Sequence, residues 1–169
     1  DPNPRLTFGF HGNLSYRGFD LSWNFTGQLG SKLYNADRMT GLDGTQSFNL
    51  YAEAMNRWHG PGTSNTIPRL SRQLNQNLNN RSSDLWVESG NYVSLKNLTL
   101  GYTLPKLSVG GWQLPESRLY VSSYNLLMVT GYKGYTPELG YTDGNRQRGV
   151  DVAQYPPARN FTFGATFNF

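Results

Sequence analysis

Apolar and polar residues alternate strictly along several stretches of this 169-residue chain. Residues 160–169, NFTFGATFNF, carry the apolar residues Phe161, Phe163, Ala165, Phe167 and Phe169 on alternate positions, with polar or small residues between them. Side chains of a β-strand point in turn to its two faces, so a period of two indicates a strand with one apolar face. We therefore predict that residues 160–169 form such a strand.

The same alternation predicts a hairpin near the start of the sequence. Apolar residues occupy even positions over Leu6–Tyr16 and odd positions over Phe19–Leu33, with Arg17-Gly18 between the two runs. A two-residue turn places its flanking residues on one face of the sheet, which requires this change of parity, and glycine supplies the positive φ of such a turn. The second strand, about 15 residues long, exceeds the roughly 5–6 residues of soluble strands and favours a membrane-spanning wall.

Two more strands are predicted in the middle of the chain, at Tyr92–Leu104 and Arg118–Val129. In the first of them Val93 and Leu95 are out of phase with the later apolar positions, which predicts either a bulge or a strand end that rises above the membrane. Alternation in the second is weaker. A short helix is predicted at Phe48–Trp58, where apolar residues recur every four positions before a Gly-Pro pair.

The connections between the five strands alternate in length. Short or medium turns are predicted at Arg17-Gly18 and at about 106–116, and long loops at about 35–90 and 130–157. Short periplasmic turns opposite long extracellular loops are typical of outer-membrane β-barrels. Five strands cannot close a barrel, because the edge strands would expose unpaired backbone groups to lipid. The chain is therefore expected to be the C-terminal part of one larger antiparallel transmembrane β-barrel, an all-β fold.

The composition agrees with an all-β barrel and argues against a helical membrane protein and a nucleic-acid-binding protein. Charged residues make up only 15% and aromatic residues 14%, so the polarity comes from uncharged side chains and glycine. No run approaches the roughly 18 apolar residues of a spanning helix. The sequence opens on DPNPRLTF without a basic and apolar leader, so the signal of an exported protein would have to lie upstream. The net charge of +4 is scattered along the chain, so no nucleic-acid partner is expected.

Four segments resemble the C-terminal end of TonB-dependent outer-membrane transporters of the SusC-like type found in Bacteroidetes. The most specific is SDLWVESGNYVSLKNLTLGYTLPK, at 83–106. The others are RLYVSSYNLLMVTGYKGYTPE at 118–138, YPPARNFTFGATFNF at 155–169, and DPNPRLTFGF with YRGFDLS in the first hairpin. The chain departs from the family pattern at Ser94, where Arg is common, and at Ser123-Tyr124, where Gly-Gln is usual.

The resemblance implies a plugged barrel of about 22 strands in the bacterial outer membrane. It implies active import of oligosaccharides or oligopeptides, a SusD-like surface lipoprotein as the lid over the loops, and TonB acting on a plug domain that is absent from this chain. The rest of the barrel and the plug, together with outer-membrane lipid, are then the remaining partners. Phe169 resembles the terminal aromatic residue that the barrel-assembly machinery recognises. No enzyme activity and no cofactor are expected.

Candidate site residues follow from the faces of the strands and from the loops. Polar residues of the first hairpin are predicted to face the lumen: Asn13, Ser15, Asp20, Ser22, Asn24 and Gln28. Aromatic residues of the loops are predicted to contact ligand or a partner protein, or else to pack within the loops: Trp58, Trp86, Tyr132, Tyr135 and Tyr141. We find no catalytic constellation and no metal-ligand spacing, because His11 and His59 stand alone in the sequence.

Two other functions remain open at this point. A non-transporting receptor or adhesin could use the same barrel wall. A soluble carbohydrate-binding β-sandwich could bury the alternating apolar faces against a second sheet.

Overall fold

The structure is a computed structural model that describes residues 1–45, 49–72, 81–105, 108–109, 112–113, 115–139 and 148–168. Regular structure in this part of the chain is mostly β, with one six-residue α-helix, α1, at Ala36–Gly41, and 3-10 helices at Ala52–Asn56 and Asp84–Trp86. The strands, in chain order, are β1 Leu6–Tyr16, β2 Phe19–Leu29, β3 Lys32–Asn35, β4 Val87–Ser89, β5 Tyr92–Leu104, β6 Ser108–Val109, β7 Trp112–Gln113, β8 Glu116–Thr130, β9 Val150–Asp151 and β10 Asn160–Asn168. No helix among the described residues is long and apolar enough to cross a membrane.

The chain divides into two compact units. The sheet unit comprises Pro4–Ser31, Asn91–Gly131 and Pro156–Phe169, and the loop unit comprises Asp1–Asn3, Lys32–Gly90 and Tyr132–Tyr155. The loop unit largely coincides with the two predicted long loops. Their position relative to the membrane, and the assignment of the whole chain to one barrel domain, remain predictions.

The sheet unit is a five-stranded antiparallel sheet in the order β1-β2-β5-β8-β10. All five predicted strands are present, and β1 and β5 have the predicted bounds. Tyr16 pairs with Phe19 across the predicted turn, where Arg17 and Gly18 have φ of 48° and 86°. Strands β1 and β10 are the edges, and neither has a second partner among the described strands.

A bulge at Lys96 explains the change of phase along β5. Leu95 pairs with Phe25 and Asn97 with Asn24, so Lys96 is an extra residue opposite β2. An unpaired residue reverses the parity of the strand, which brings Leu95 onto the same face as the later even-numbered apolar residues. The predicted bulge is confirmed, and it keeps the apolar residues on either side of Lys96 on one face of the sheet.

Two sequence predictions are wrong in their bounds. Strand β2 ends at Leu29 rather than Leu33, because Gly30 adopts a φ of 85°, after which Leu33 lies in a separate small sheet of β4, β3 and β9. The helix predicted at Phe48–Trp58 is only the 3-10 turn Ala52–Asn56, because extended residues flank it on both sides; Phe48 lies outside the described residues.

Candidate functional site

The sheet has one apolar and one polar face, and all six residues predicted to face the lumen lie on the polar face. The register pairs Asn13 with Ser22 and Ser15 with Asp20, which places them on one side. The opposite face exposes large apolar side chains, including Leu14 at 60% and Phe163 at 80%. An orientation toward the lumen stays a prediction, since the rest of the barrel is needed to define one.

An ion pair bridges three strands on the polar face. Arg118 of β8 donates from Nε to Oδ1 of Asp20 at 2.9 Å and from Nη2 to Oδ2 at 2.5 Å. The pair crosses β5 at Gly101, where a Cβ would come within 2.6 Å of both side chains. Glycine at this position leaves room for the ion pair, whereas a Cβ would displace one of the two side chains. Because the geometry is bidentate, the pair fixes the position of Asp20 more firmly than a single contact would.

Arg118 also orders the next residue on this face. Its guanidinium lies 5.1 Å from the centre of the Tyr120 ring, and that ring covers Gly164 of β10. A cation over an aromatic face is attracted by the ring quadrupole. The polar face thus carries a connected row from β2 to β10. Arg118 and Tyr120 were missed from sequence, because alternation along β8 is weak.

The loop unit is organised around a buried arginine. Arg38 is only 8% exposed; it donates to Glu53 at 2.6 and 2.9 Å and to the carbonyl of Leu85 at 3.0 Å. It also lies 3.4 Å from a carboxylate oxygen of Glu88 and 5.7 Å from the Trp86 ring. The hydrogen bond with Arg38 lowers the pKa of Glu53. Buried charges are tolerated when they are paired in this way.

Two tyrosines of the loop unit are held by carboxylates. The hydroxyl of Tyr51 donates to Asp37, which together with burial raises the pKa of Tyr51 to about 12. Burial and a 2.6 Å hydrogen bond to Asp151 raise the pKa of Tyr132. Asp151 also accepts from the backbone N–H groups of Ala153 and Gln154. Both phenols are therefore neutral hydrogen-bond donors near pH 7.

The five candidate aromatic residues of the loops divide into two groups. Trp86 is 2% exposed, in a small core with Leu42 and Ala54, and Tyr132 is 7% exposed, so their burial favours the packing alternative. Trp58 and Tyr135 are exposed, at 38% and 64%, and stay candidates for ligand contact. Tyr141 and Phe169 lie outside the described residues.

Each exposed candidate borders a cleft. Tyr135 lines a cleft of 280 Å³ together with Tyr51, Glu53 and Lys133. Trp58 lines another of 490 Å³ with two arginines. Neither histidine joins such a site: His11 pairs with Asn24 across the hairpin, and His59 Nδ1 lies 3.1 Å from the carbonyl of Arg57. No group of three or more potential metal-ligating side chains occurs within the described ranges.

No protein-family model matches the chain. Among curated proteins, it is 37% identical over its whole length to TonB-dependent receptor P3 of Formosa agariphila, and 29% identical over 99% of its length to TonB-dependent receptor P26 of the same organism. In each case the chain spans about 17% of the relative's length.

Among solved structures, the chain resembles the RagAB peptide transporter with a TM-score of 0.78 and 28% identity, over 97% of the chain and 17% of that structure. The RagAB peptide importer in its open-open state gives a TM-score of 0.76 at 28% identity, over 99% of the chain and 17% of that structure. The predicted resemblance to a segment of TonB-dependent transporters is confirmed, as are the β-barrel fold class and the outer-membrane localisation.

Proposed function

We propose that the chain forms part of the wall and loops of a TonB-dependent, SusC-like outer-membrane transporter that imports oligomeric nutrients. The observation that carries the proposal is the five-stranded sheet, with large apolar side chains on one face and a polar, ion-paired row on the other. Such a sheet suits a wall between lipid and an aqueous lumen. Similarity over the whole chain to TonB-dependent receptors and to a peptide importer favours this function over an adhesin or a soluble β-sandwich.

In this proposal the chain contributes surfaces and performs no covalent chemistry. The polar row of Asp20, Arg118 and Tyr120 faces the lumen, and the loop unit lies on the extracellular side. A SusD-like surface lipoprotein closes over the loops, and TonB acts through a plug domain in the rest of the protein. The cargo is an oligosaccharide or an oligopeptide.

The test is uptake by cells that carry or lack the full-length gene. Fluorescently labelled oligosaccharides and oligopeptides are supplied to wild-type cells, to the deletion strain, and to a strain without TonB. We expect uptake of one class of oligomer in wild-type cells only, with restoration by the plasmid-borne gene. Uptake that continues without TonB, or that the deletion leaves unchanged, would refute the proposal.

A pull-down gives an independent test of the partner. The full-length protein is isolated from detergent-solubilised outer membranes, and proteins that travel with it are identified by mass. Recovery of a surface lipoprotein at near-equal amount is the expected result. A protein found in the soluble fraction without detergent would instead support the β-sandwich.

A further inference from the structure

The cleft beside Trp58 is lined by apolar side chains together with cationic and hydrogen-bonding ones. It has a volume of 490 Å³ and is bordered by two segments of the loop unit, 58–69 and 81–85. Its apolar residues beside the ring of Trp58 are Ile67, Pro68 and Leu85, and its cations are Arg69 and Arg81. Hydroxyl and amide side chains from residues 64–66 and 83 complete the lining.

Hydrogen bonds hold both sides of this cleft in place. The backbone N–H of Trp58 donates to the carbonyl of Ile67 at 2.9 Å, and the N–H of Ile67 donates to Ser64 Oγ at 3.1 Å. On the other side, the indole N–H of buried Trp86 donates to the carbonyl of Arg81 at 3.1 Å. Because these anchors include buried Ile67 and Trp86, the cleft is formed before any ligand arrives.

Both charged residues that line the cleft are cationic, although the acidic Asp84 lies in sequence between two lining residues, Ser83 and Leu85. The stretch from Ala54 to Ser83 contains four arginines and no aspartate or glutamate. The chain's net charge is +4, so this one stretch accounts for all of it, and the other 11 basic residues balance 11 acidic ones. No acidic side chain is among the residues that line the cleft. Arginine forks match the two oxygens of a carboxylate or sulfate, so the site suits an anionic group.

We propose that this cleft binds an acidic oligosaccharide, and the assignment rests on the transport function proposed above. Arg69 and Arg81 hold a carboxylate or sulfate group of the sugar. The half-exposed face of Trp58 covers the C–H face of a pyranose ring, which is apolar although its rim carries hydroxyls. Side-chain hydroxyls and amides at the rim then bond the sugar hydroxyls. These groups favour a sugar over an extended peptide, whose backbone is best met by backbone N–H and C=O groups.

The experiment measures binding to the full-length protein in detergent by calorimetry. The probes are a galacturonic acid hexamer, a sulfated carrageenan hexamer, a neutral maltohexaose and a hexaglutamate peptide. The first two distinguish carboxylate from sulfate as the anion. We expect at least one acidic sugar to bind about tenfold more tightly than maltohexaose, with an affinity that falls between about 50 and about 300 mM NaCl.

Variants assign the binding to the cleft. Arg69→Gln and Arg81→Gln are each expected to weaken binding of the acidic sugar about tenfold, because each removes a charge-assisted hydrogen-bonding group. Arg81→Lys should retain part of the affinity, since it keeps the charge but not the fork. The matched control is Arg57→Gln: Arg57 belongs to the same stretch but donates to the carbonyl of Ala54 and does not line the cleft.

Three results would overturn the assignment. They are equal binding of acidic and neutral hexamers, a loss with Arg57→Gln as large as with Arg81→Gln, and binding of hexaglutamate alone. Uptake separates this assignment from the transport proposal. TonB-dependent uptake of neutral oligomers without binding of an acidic sugar removes the site and leaves transport standing. Binding that depends on Arg81, without TonB-dependent uptake of any oligomer, would support the binding site and refute the transport proposal.

Discussion

Among the described residues, all the buried hydrophobic side chains belong to the loop unit, and none belongs to the sheet unit. In the sheet unit, Leu14 and Phe163 are 60% and 80% exposed, whereas in the loop unit Leu33 and Trp86 are 3% and 2% exposed. Under the proposed function the apolar face of the sheet unit meets lipid, where exposed apolar side chains cost nothing, whereas burial of apolar side chains stabilises the loop unit in water.

The two units also treat charge differently. The side chains of the Asp20–Arg118 pair in the sheet unit are about one-third exposed on an open face, whereas the side chain of Arg38 in the loop unit is 9% exposed, between two glutamates and an indole ring. An exposed pair contributes little to stability, but a buried pair that loses one partner leaves an uncompensated charge. The stability of the loop unit therefore depends on a few specific contacts, whereas that of the sheet unit depends on its alternating apolar and polar residues.

The largest effect is expected from truncating the core of the loop unit. Trp86→Ala removes the buried ring and its hydrogen bond to Arg81, and should cost about 3–5 kcal/mol. Limited proteolysis of the full-length protein should show cleavage within 32–90, while the heat-resistant migration of the barrel is retained. Trp58→Ala serves as the control. If both variants resist protease equally, the loop unit has no core of its own.

A charge on the apolar face should break the sheet unit instead. Phe163→Arg is expected to cost about 2–4 kcal/mol if this face meets lipid, whereas Thr162→Arg, on the other face of β10, should cost much less. Urea-induced unfolding of the full-length protein in liposomes measures both. Equal losses from the two variants would show that the sheet does not separate lipid from water.

The hairpin turn provides a smaller, local test of the sheet unit. Gly18→Ala forces alanine into a φ of 86° and puts a Cβ 2.9 Å from the carbonyl oxygen of Thr103, at a cost of about 1–2 kcal/mol. Gly9→Ala is the control, because its Cβ would lie 3.8 Å from the nearest atom and its φ is not positive. The same liposome assay applies, and a Gly9 variant as unstable as the Gly18 variant would contradict the turn geometry.

The smallest effect concerns acid. Because the pKa of Glu53 is lowered in the folded state, its pairing with Arg38 contributes stability above its unfolded pKa near 4.5, and that contribution is lost as the pH falls through the folded value. Protease resistance of the loop unit should therefore decline from about pH 6 toward about pH 3.5, as Glu53 becomes protonated. Glu53→Gln should make the decline shallower. An unchanged decline would assign the acid sensitivity to other carboxylates.

The alternation of apolar and polar residues and the residues of the turn determined most features of the sheet unit. The bounds of β1 and β5, the turn at Arg17-Gly18, the bulge in β5 and the common face of the six polar residues all follow from local alternation, because in a strand each side chain's face depends only on its position. Sequence reasoning extended β2 too far, because the sequence around Gly30 does not indicate that this glycine adopts a positive φ.

The contacts and the buried side chains of the loop unit were revealed only by the tertiary structure. Arg38 meets Leu85 and Glu88 across 47 and 50 residues of chain, and Tyr132 meets Asp151 across 19, with no periodic pattern to signal either contact. The burial of Trp86 and the exposure of Trp58 likewise could not be distinguished from composition. Irregular segments bury whatever side chains their long-range contacts bring together, so their interior is set by packing between distant residues rather than by the order of neighbouring ones.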